Sequence, residues 1–574
     1  MTNMASDTFA HQMMENIHRM YKEQRHTDIE VKVKDTTFEC HKLVLAAMSP
    51  YFDAMFYSGM IECTDNVVRL QNLSASTFES VLSFLYLGKC HIHTENVEDL
   101  LKASAMFQIG MLTQMCELFL VNHVDPENCI AMWKLASMHR CKILEHTSFS
   151  FILSNIQDIM NTDNFNRLDK DELLLIISHD ELNVANEEIV CDAIFTWYKS
   201  DDVARKSDFE DLFEHLRLPL VSSEYLVNNV DSLEVVTSSK KCQEIVKEAI
   251  SYHMLPARRH EIVSPRVIYR KHALHEEVLV VLGGYSQSGQ KVIDVLGYSF
   301  RQEKWFILCP LIYKLGREYA CCVYGNDIYV SGGSQRLQSL VRFSAEYNQW
   351  QRCASMAQGR RRHAMVAVGE SLFVIGGYDD KTNDELKRTL IDIEEYNIST
   401  SCWYTVGTLV KPVRSMSSAV SKEKILIFGG LLRGEHETAA IQSYDTRTQS
   451  CTIVGDLPLC CKLTRSVTFD KRILIFCTDG TVIEVTTDLK FRVFAKIANF
   501  TRRRFGVIVH DQMVLILGGE SGEKVLRDIL MFNPESKTVV SHTNLQMAPA
   551  RANFGCAKIV MKKRNLTMEW LEDS

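Results

Sequence analysis

Few side chains in this sequence stand where catalysis would need them. Asp28 and His41 have the types for general acid–base work, yet no nucleophile accompanies them. His91-x-His93 would project two imidazoles from one face of a strand, as a metal site wants, but no third ligand lies nearby. The run from Leu517 through Gly518, Gly519 and Gly522 to Lys524 has the glycines of a phosphate loop without its spacing. Val525 follows where a serine or threonine belongs. The 18 cysteines are scattered, and only Cys321-Cys322 and Cys460-Cys461 are adjacent. Without a Cys-x-x-Cys pair, they predict buried reduced thiols, no metal and no cofactor. Two arginine triplets, Arg360-Arg361-Arg362 and Arg502-Arg503-Arg504, could suit nucleic acid, but a net charge of −8 argues against it. The first residues lack a signal peptide and no apolar run approaches a membrane span, so the expectation is an intracellular, non-membrane protein.

The triplets gain meaning from the elements that hold them. An apolar strand running into a glycine pair recurs at 278–284, 326–333, 371–377, 424–430 and 513–519. A sixth copy at 472–478 keeps the strand but has Cys477-Thr478 in place of the glycines. A spacing of roughly 40 to 55 residues signals a repeat architecture. Four short strands per copy make a blade, so six copies predict a six-bladed, all-β propeller. The glycines end an inner strand where backbones crowd, and Trp305, Trp350, Trp403 and Tyr444 supply aromatics to bury between sheets. The segment 552–560 resembles 504–510 through a shared Phe-Gly, so the C-terminal strand is expected to complete the first blade and hide the open edges. Both triplets occupy one place in the repeat: Arg362 and Arg504 each precede their blade's first glycine by fourteen residues. The same offset selects Glu318, Ser415 and Leu463, and the Phe-Gly match selects Asn553.

The front of the chain is different. Phe9, Met13, Met14, Ile17, Met20 and Tyr21 lie near helical spacing. Ile29, Val31 and Val33 alternate as in a half-buried strand, and a second strand around Phe38 and Cys40 follows. Helices are expected through Leu43–Ala46, after Ser49-Pro50, and after the capping candidate Ser74. This α+β stretch resembles the BTB/POZ domain through Asp28, the run His41 to Ala46, Ser49-Pro50-Tyr51-Phe52, Met55-Phe56 and Phe84 to Gly88. The helical stretch from Asp125-Pro126 resembles the BACK domain in its segments 180–201 and 216–230, and 252–267 resembles the linker into a Kelch propeller.

Together these resemblances identify a BTB–BACK–Kelch organisation: an N-terminal dimerisation helix at 1–24, BTB/POZ at 25–123, an all-α BACK domain at 124–252, a linker at 253–276, the propeller at 277–562 and a tail at 563–574. The resemblance implies a non-catalytic substrate adaptor of a cullin-3 RING ubiquitin ligase, homodimeric through BTB, cytoplasmic and also compatible with the nucleus. It implies cullin contact through the apolar-x-Glu motif Met60-Ile61-Glu62 after the Phe56 helix, and through Phe107 and Gln108. The helical pair beginning near Cys129 and Trp133 would extend that surface. The family's propeller mouth would take a protein target at Glu318, Arg362, Ser415, Arg504 and Asn553, joined by Tyr285, Ser334, Tyr378, Leu431 and Glu520. Arg362 and Arg504, half a ring apart, would together grip a carboxylate or phosphate, unless Glu318 neutralises Arg362 and leaves a pocket of mixed polarity. An actin-binding or cytoskeletal scaffold without a ligase role is the alternative.

Overall fold

The computed structural model describes residues 2–57, 66–256, 259, 264–486, 488–547 and 549–570. They divide into two compact units, Met1–Val184 with Cys191–Leu212, and Ala185–Val190 with Phe213–Ser574. The helical stretch 124–252 therefore contributes to both.

The first unit begins with helix α1 (Thr2–Lys22), then strands β1 (Ile29–Val33), β2 (Thr36–Cys40) and β3 (Val67–Leu70), arranged in the order β2-β1-β3. β2 runs antiparallel to β1 and β3 parallel to it. Ile29, Val31 and Val33 are buried as the alternation predicts. Helices α2 (Lys42–Met48), α3 (Pro50–Tyr57) and α4 (Ala75–Leu87) follow. Ser74 caps α4 by accepting the Thr77 N–H at 3.1 Å, and Gly88 ends it in the left-handed region. Phe52, Phe78 and Phe107 form the centre of the core. α5 (Val97–Met106) and α6 (Gly110–Val121) lead to the hairpin of α7 (Cys129–His139) and α8 (Lys142–Ser154). The Glu117 carboxylate on α6 accepts the N–H groups of Ile143 and Leu144 at 2.8 and 3.0 Å. A buried glutamate thus ties α6 to the amino end of α8, where its charge suits the helix dipole.

Among its described residues the second unit holds a buried ion pair, Arg270 Nε to Glu187 Oε1 at 2.8 Å, and six four-stranded antiparallel sheets. Sheet one combines Gly555–Lys562 with His275–Leu282, Val295–Ser299 and Lys304–Leu308. Sheets two to six begin at Ala320–Tyr324, Ala364–Val368, Ser417–Ser421, Arg465–Phe469 and Gly506–His510. The C-terminal strand pairs residue for residue with His275–Leu282, from Gly555 opposite Leu282 to Lys562 opposite His275. The first strands of successive sheets touch. Gly506–His510 also touches Gly555–Lys562, which touches Ala320–Tyr324.

Side chains reinforce these seams. Trp305 donates its indole N–H to Gln546, Trp350 to Cys309 and Trp403 to Ala354, at 2.8, 2.9 and 2.8 Å, and the Tyr444 hydroxyl donates to Val406 at 2.8 Å. Each acceptor is a backbone carbonyl in or just after the preceding sheet. The glycine pair meets the same crowding. At Gly376, with φ 55°, a Cβ would sit 2.6 Å from the Val413 carbonyl oxygen, and at Gly377, with φ 103°, 2.8 Å from that of Arg361. Sheet five, which lacks the pair, turns from Arg472–Phe476 to Thr481–Val485 through Cys477–Gly480 alone. The Cys477 N–H donates to the Thr481 carbonyl there at 2.9 Å. The other sheets carry longer loops at this place, so the structural result of losing the glycines is a cropped turn.

Candidate functional site: the rim of the sheets and the groove beside α6

The five residues chosen by the common offset and the one chosen by the Phe-Gly match share one conformation. Glu318, Arg362, Ser415, Leu463, Arg504 and Asn553 have φ of 65°, 55°, 57°, 54°, 53° and 53°. Their backbones also join from sheet to sheet. Arg362 N–H donates to Glu318 C=O at 2.8 Å, Ser415 to Arg362 at 2.8 Å, Leu463 to Ser415 at 2.9 Å and Asn553 to Arg504 at 3.0 Å. At these four seams the left-handed conformation lets one residue reach its equivalent in the neighbouring sheet.

The residues after the glycine pairs lie at the same edge. Tyr285 pairs with Ala552, Tyr378 with Arg361, Leu431 with Arg414 and Glu520 with Arg503 as isolated bridges. Ser334 donates its N–H to the Arg317 carbonyl at 2.9 Å. Both predicted sets therefore form one rim. Ser415 and Asn553 are buried within it, and Glu318, Arg362, Leu463, Arg504, Ser334, Tyr378 and Glu520 keep partial exposure.

Each arginine triplet divides its labour. Arg360 is fully buried, donates to the carbonyls of Gly376 and Asp392 at 2.9 and 3.2 Å, and pairs with the buried Glu394 carboxylate. Arg502 and Arg551 repeat this, donating to the carbonyls of Gly518 and Asp528, and of Gly283 and Asp294. Sequence reading missed this role. Its signal was an arginine two places before the rim residue in three of six copies. Arg361 pairs with Glu318 and reaches Asp380 at 3.2 Å, and with Arg414 it flanks the Tyr378 ring at 5.1 and 4.9 Å.

Arg362 and Arg504 are not free guanidiniums awaiting an anion. Arg362 Nε lies 2.8 Å from Glu318 Oε2. Arg504 Nη1 lies 2.8 Å from Glu520 Oε1 and 3.1 Å from the Tyr285 hydroxyl, which itself donates to Glu520 at 2.5 Å. Burial pushes the Glu318 carboxyl up, but Arg362 and Arg361 outweigh it and hold it below the ordinary value. The rim is of mixed polarity: acid and base are already matched, and a partner must compete for them.

A second surface lies in the first unit. A cavity of about 490 Å³ opens between the α5–α6 turn and the α7–α8 hairpin, lined by Gln108, Gly110, Thr113, Glu117, His139 and Ile143. Gln108 is exposed, at φ 59°. Phe107 is fully buried, stacked on Phe52 at 5.1 Å, while its carbonyl accepts from the Ser49 hydroxyl at 2.5 Å. It supports the turn from below and presents no surface of its own. Met111, Met115 and Leu118 project from one face of α6, exposed to 66%, 37% and 47%. The pattern alone does not say which apolar face a helix buries. Phe56 is half-buried at the end of α3. Met60, Ile61 and Glu62 lie outside the described residues.

The other chemical candidates resolve into structure. His41 is held between the Tyr86 hydroxyl at 2.8 Å and the Arg25 carbonyl at 3.0 Å, and Asp28 accepts the Lys42 N–H at 2.7 Å at the start of α2. His91 and His93 sit in an irregular exposed segment, and no cluster of metal-binding side chains occurs among the described residues. Glu520 to Val525 form a small hairpin. Burial pushes the thiols of Cys40 and Cys116 up to about 12 and those of Cys129 and Cys141 to about 11. Cys402 and Cys460, by contrast, are exposed, so uniform thiol burial was too broad an expectation.

Comparison with known proteins follows these divisions. Residues 17–124 match the BTB/POZ domain, 129–231 the "BTB And C-terminal Kelch" domain, and 261–480 the "KLHDC2/KLHL20/DRC7 Kelch-repeats domain". Kelch-like protein 24 of Homo sapiens is 35% identical over 371 residues, 64% of this chain and 61% of that protein. Kelch-like protein 6 of Homo sapiens is 29% identical over 421 residues, 72% of this chain and 66% of that protein. Kelch-like protein 25 of Xenopus laevis is 26% identical over 546 residues, 93% and 92% of the two chains. The alignment to Kelch-like protein 24 thus spans about three fifths of its length. The chain belongs to the BTB–BACK–Kelch family.

Proposed function

We propose that this chain is the substrate-recognition adaptor of a cullin-3 RING ubiquitin ligase and performs no chemistry itself. The observation that carries the reading is the exposed apolar face of α6, Met111, Met115 and Leu118, beside the groove that Gln108 lines. Exposed methionines on a rigid helix next to a concavity suit a helical protein partner, because their flexible thioethers adapt to its surface. Cullin-3 would rest there, with Met60, Glu62 and Phe56 completing the contact and the α7–α8 hairpin extending it.

The six sheets would act as the blades of a closed propeller, a reading supported by the cycle of first-strand contacts and by the pairing of the C-terminal strand in sheet one. Its rim, at Glu318, Arg362, Arg504, Tyr285, Ser334, Tyr378 and Glu520, would bind the target protein. A homodimer through α1 would present two such rims and raise the effective concentration for a bivalent target. The site of action would be the cytoplasm.

Co-purification tests the reading. Cullin-3 is expected to accompany the wild-type protein and to be lost from Met115→Glu and Glu62→Ala. Folded wild-type protein without cullin-3 would favour a scaffold such as an actin binder.

A further inference from the structure

Each sheet's first strand opens two residues after the rim position, and five of the six open on a small residue: Gly555, Ala320, Ala364, Ser417 and Gly506. Crowding explains the glycines. A Cβ on Gly506 would lie 2.8 Å from the Cys556 sulfur, and one on Gly555 3.0 Å from that of Cys321. Sheet five opens instead on Arg465, two residues after the rim residue Leu463. Its half-buried side chain crosses to sheet six, where Nε donates to the Phe505 carbonyl at 3.1 Å, just before Gly506. Nη1 turns back to the Thr464 carbonyl at 3.1 Å, and Nη2 has no acceptor among the described residues.

The other basic side chains of the six first strands are matched. Lys558 lies 3.1 Å from Glu277, Lys562 pairs with Glu346, and His510 sits between Glu277 and Asp511. Arg465 is the exception: both of its bonds go to uncharged carbonyls. Burial pushes its pKa down, and only the thiols of Cys556 and Cys321 oppose the shift. A partly desolvated guanidinium without a carboxylate gains more from an incoming anion than one in open water.

We propose that Arg465 is an oxyanion site at the opening of the first strands, taking a carboxylate or a phosphate as a free ion or on an acidic side chain of the bound target. This deepens the reading of the rim as the target surface and rests on it. Nη2 offers two unused N–H groups to the oxygens of such a ligand. Arg465 thereby supplies the charge that Arg362 and Arg504 supply only by giving up Glu318 and Glu520.

The test is thermal unfolding of the full-length protein with inorganic phosphate added at constant ionic strength. A second arm uses the peptide acetyl-Gly-Gly-Glu-Gly-Gly-amide and its glutamine counterpart. Phosphate is expected to raise Tm saturably, by about 2–4 °C at tenfold the dissociation constant. Arg465→Ala, which restores the small residue of the other sheets, should abolish the rise. If that variant does not fold, Arg465→Lys, which keeps the charge and loses the planar fork, should need severalfold more phosphate. A rise with the glutamate peptide but not the glutamine one assigns the site to a target side chain, and a rise with phosphate alone assigns it to a free ion. A wild type without a saturable rise, or an Arg465 variant with an unchanged one, would overturn the proposal. Cullin-3 takes no part in this assay, so its failure leaves the adaptor reading standing, and a failure to capture cullin-3 leaves the anion site standing.

Discussion

Arg362 and Glu318 are joined twice across the seam between sheets two and three. The Arg362 N–H donates to the Glu318 carbonyl at 2.8 Å, and its guanidinium Nε lies 2.8 Å from the Glu318 carboxylate. One pair of residues thereby fixes both the backbone path of the rim and its charge. This pair also has a pH signature. Glu318 titrates below its usual value near 4.5, so the folded state holds its proton less tightly than the unfolded chain. The stabilisation is fully present above about 4.5 and is lost as pH falls through the lower folded value. Acid unfolding of the wild type compared with Glu318→Gln should show the two curves converging at low pH. Curves that stay parallel down to pH 3 would contradict it.

Adjacent arginines should differ in cost. Arg360→Met leaves the buried Glu394 carboxylate unpaired and is expected to cost about 3–5 kcal/mol. Arg362→Ala, on the half-exposed rim, should cost about 1 kcal/mol or less. Urea unfolding measures both, and equal losses would refute the division of roles.

Substitution of glycine separates backbone strain from crowding. Gly369, at φ 58°, has nothing within 4 Å of a built Cβ, whereas Gly376, at φ 55°, would press on the Val413 carbonyl at 2.6 Å. Gly369→Ala should cost only the left-handed conformation, about 1–2 kcal/mol. Gly376→Ala should cost clearly more, read as a larger fall in the urea midpoint.

Removing residues after Ala550 deletes the strand that pairs with His275–Leu282 and exposes the edges of sheet one. Loss of cooperative unfolding, or aggregation, is expected by calorimetry. A truncated protein with an unchanged transition would contradict ring closure.

Repetition decided what was legible in advance. The fixed offset located Glu318, Arg362, Ser415, Leu463 and Arg504 as equivalent positions and the Phe-Gly match added Asn553, and all six share a left-handed φ. A repeat fixes position without fixing partners. The neighbouring position did point to Glu318 as the neutraliser of Arg362, and that pair forms, whereas nothing in the repeat marks Glu520 as the partner of Arg504. Phe107, expected at the partner contact from the family resemblance, is buried beneath the turn, and the exposed face of Met111 carries no mark in the sequence, because only packing decides whether an apolar helical face is covered.

The most direct test of the adaptor account is the mass of the complex in solution. Light scattering on the full-length chain mixed with cullin-3 is expected to give one species holding two copies of each protein, reduced to a dimer of this chain alone by Met115→Glu. A folded wild-type chain that elutes apart from cullin-3 at every ratio would contradict the account.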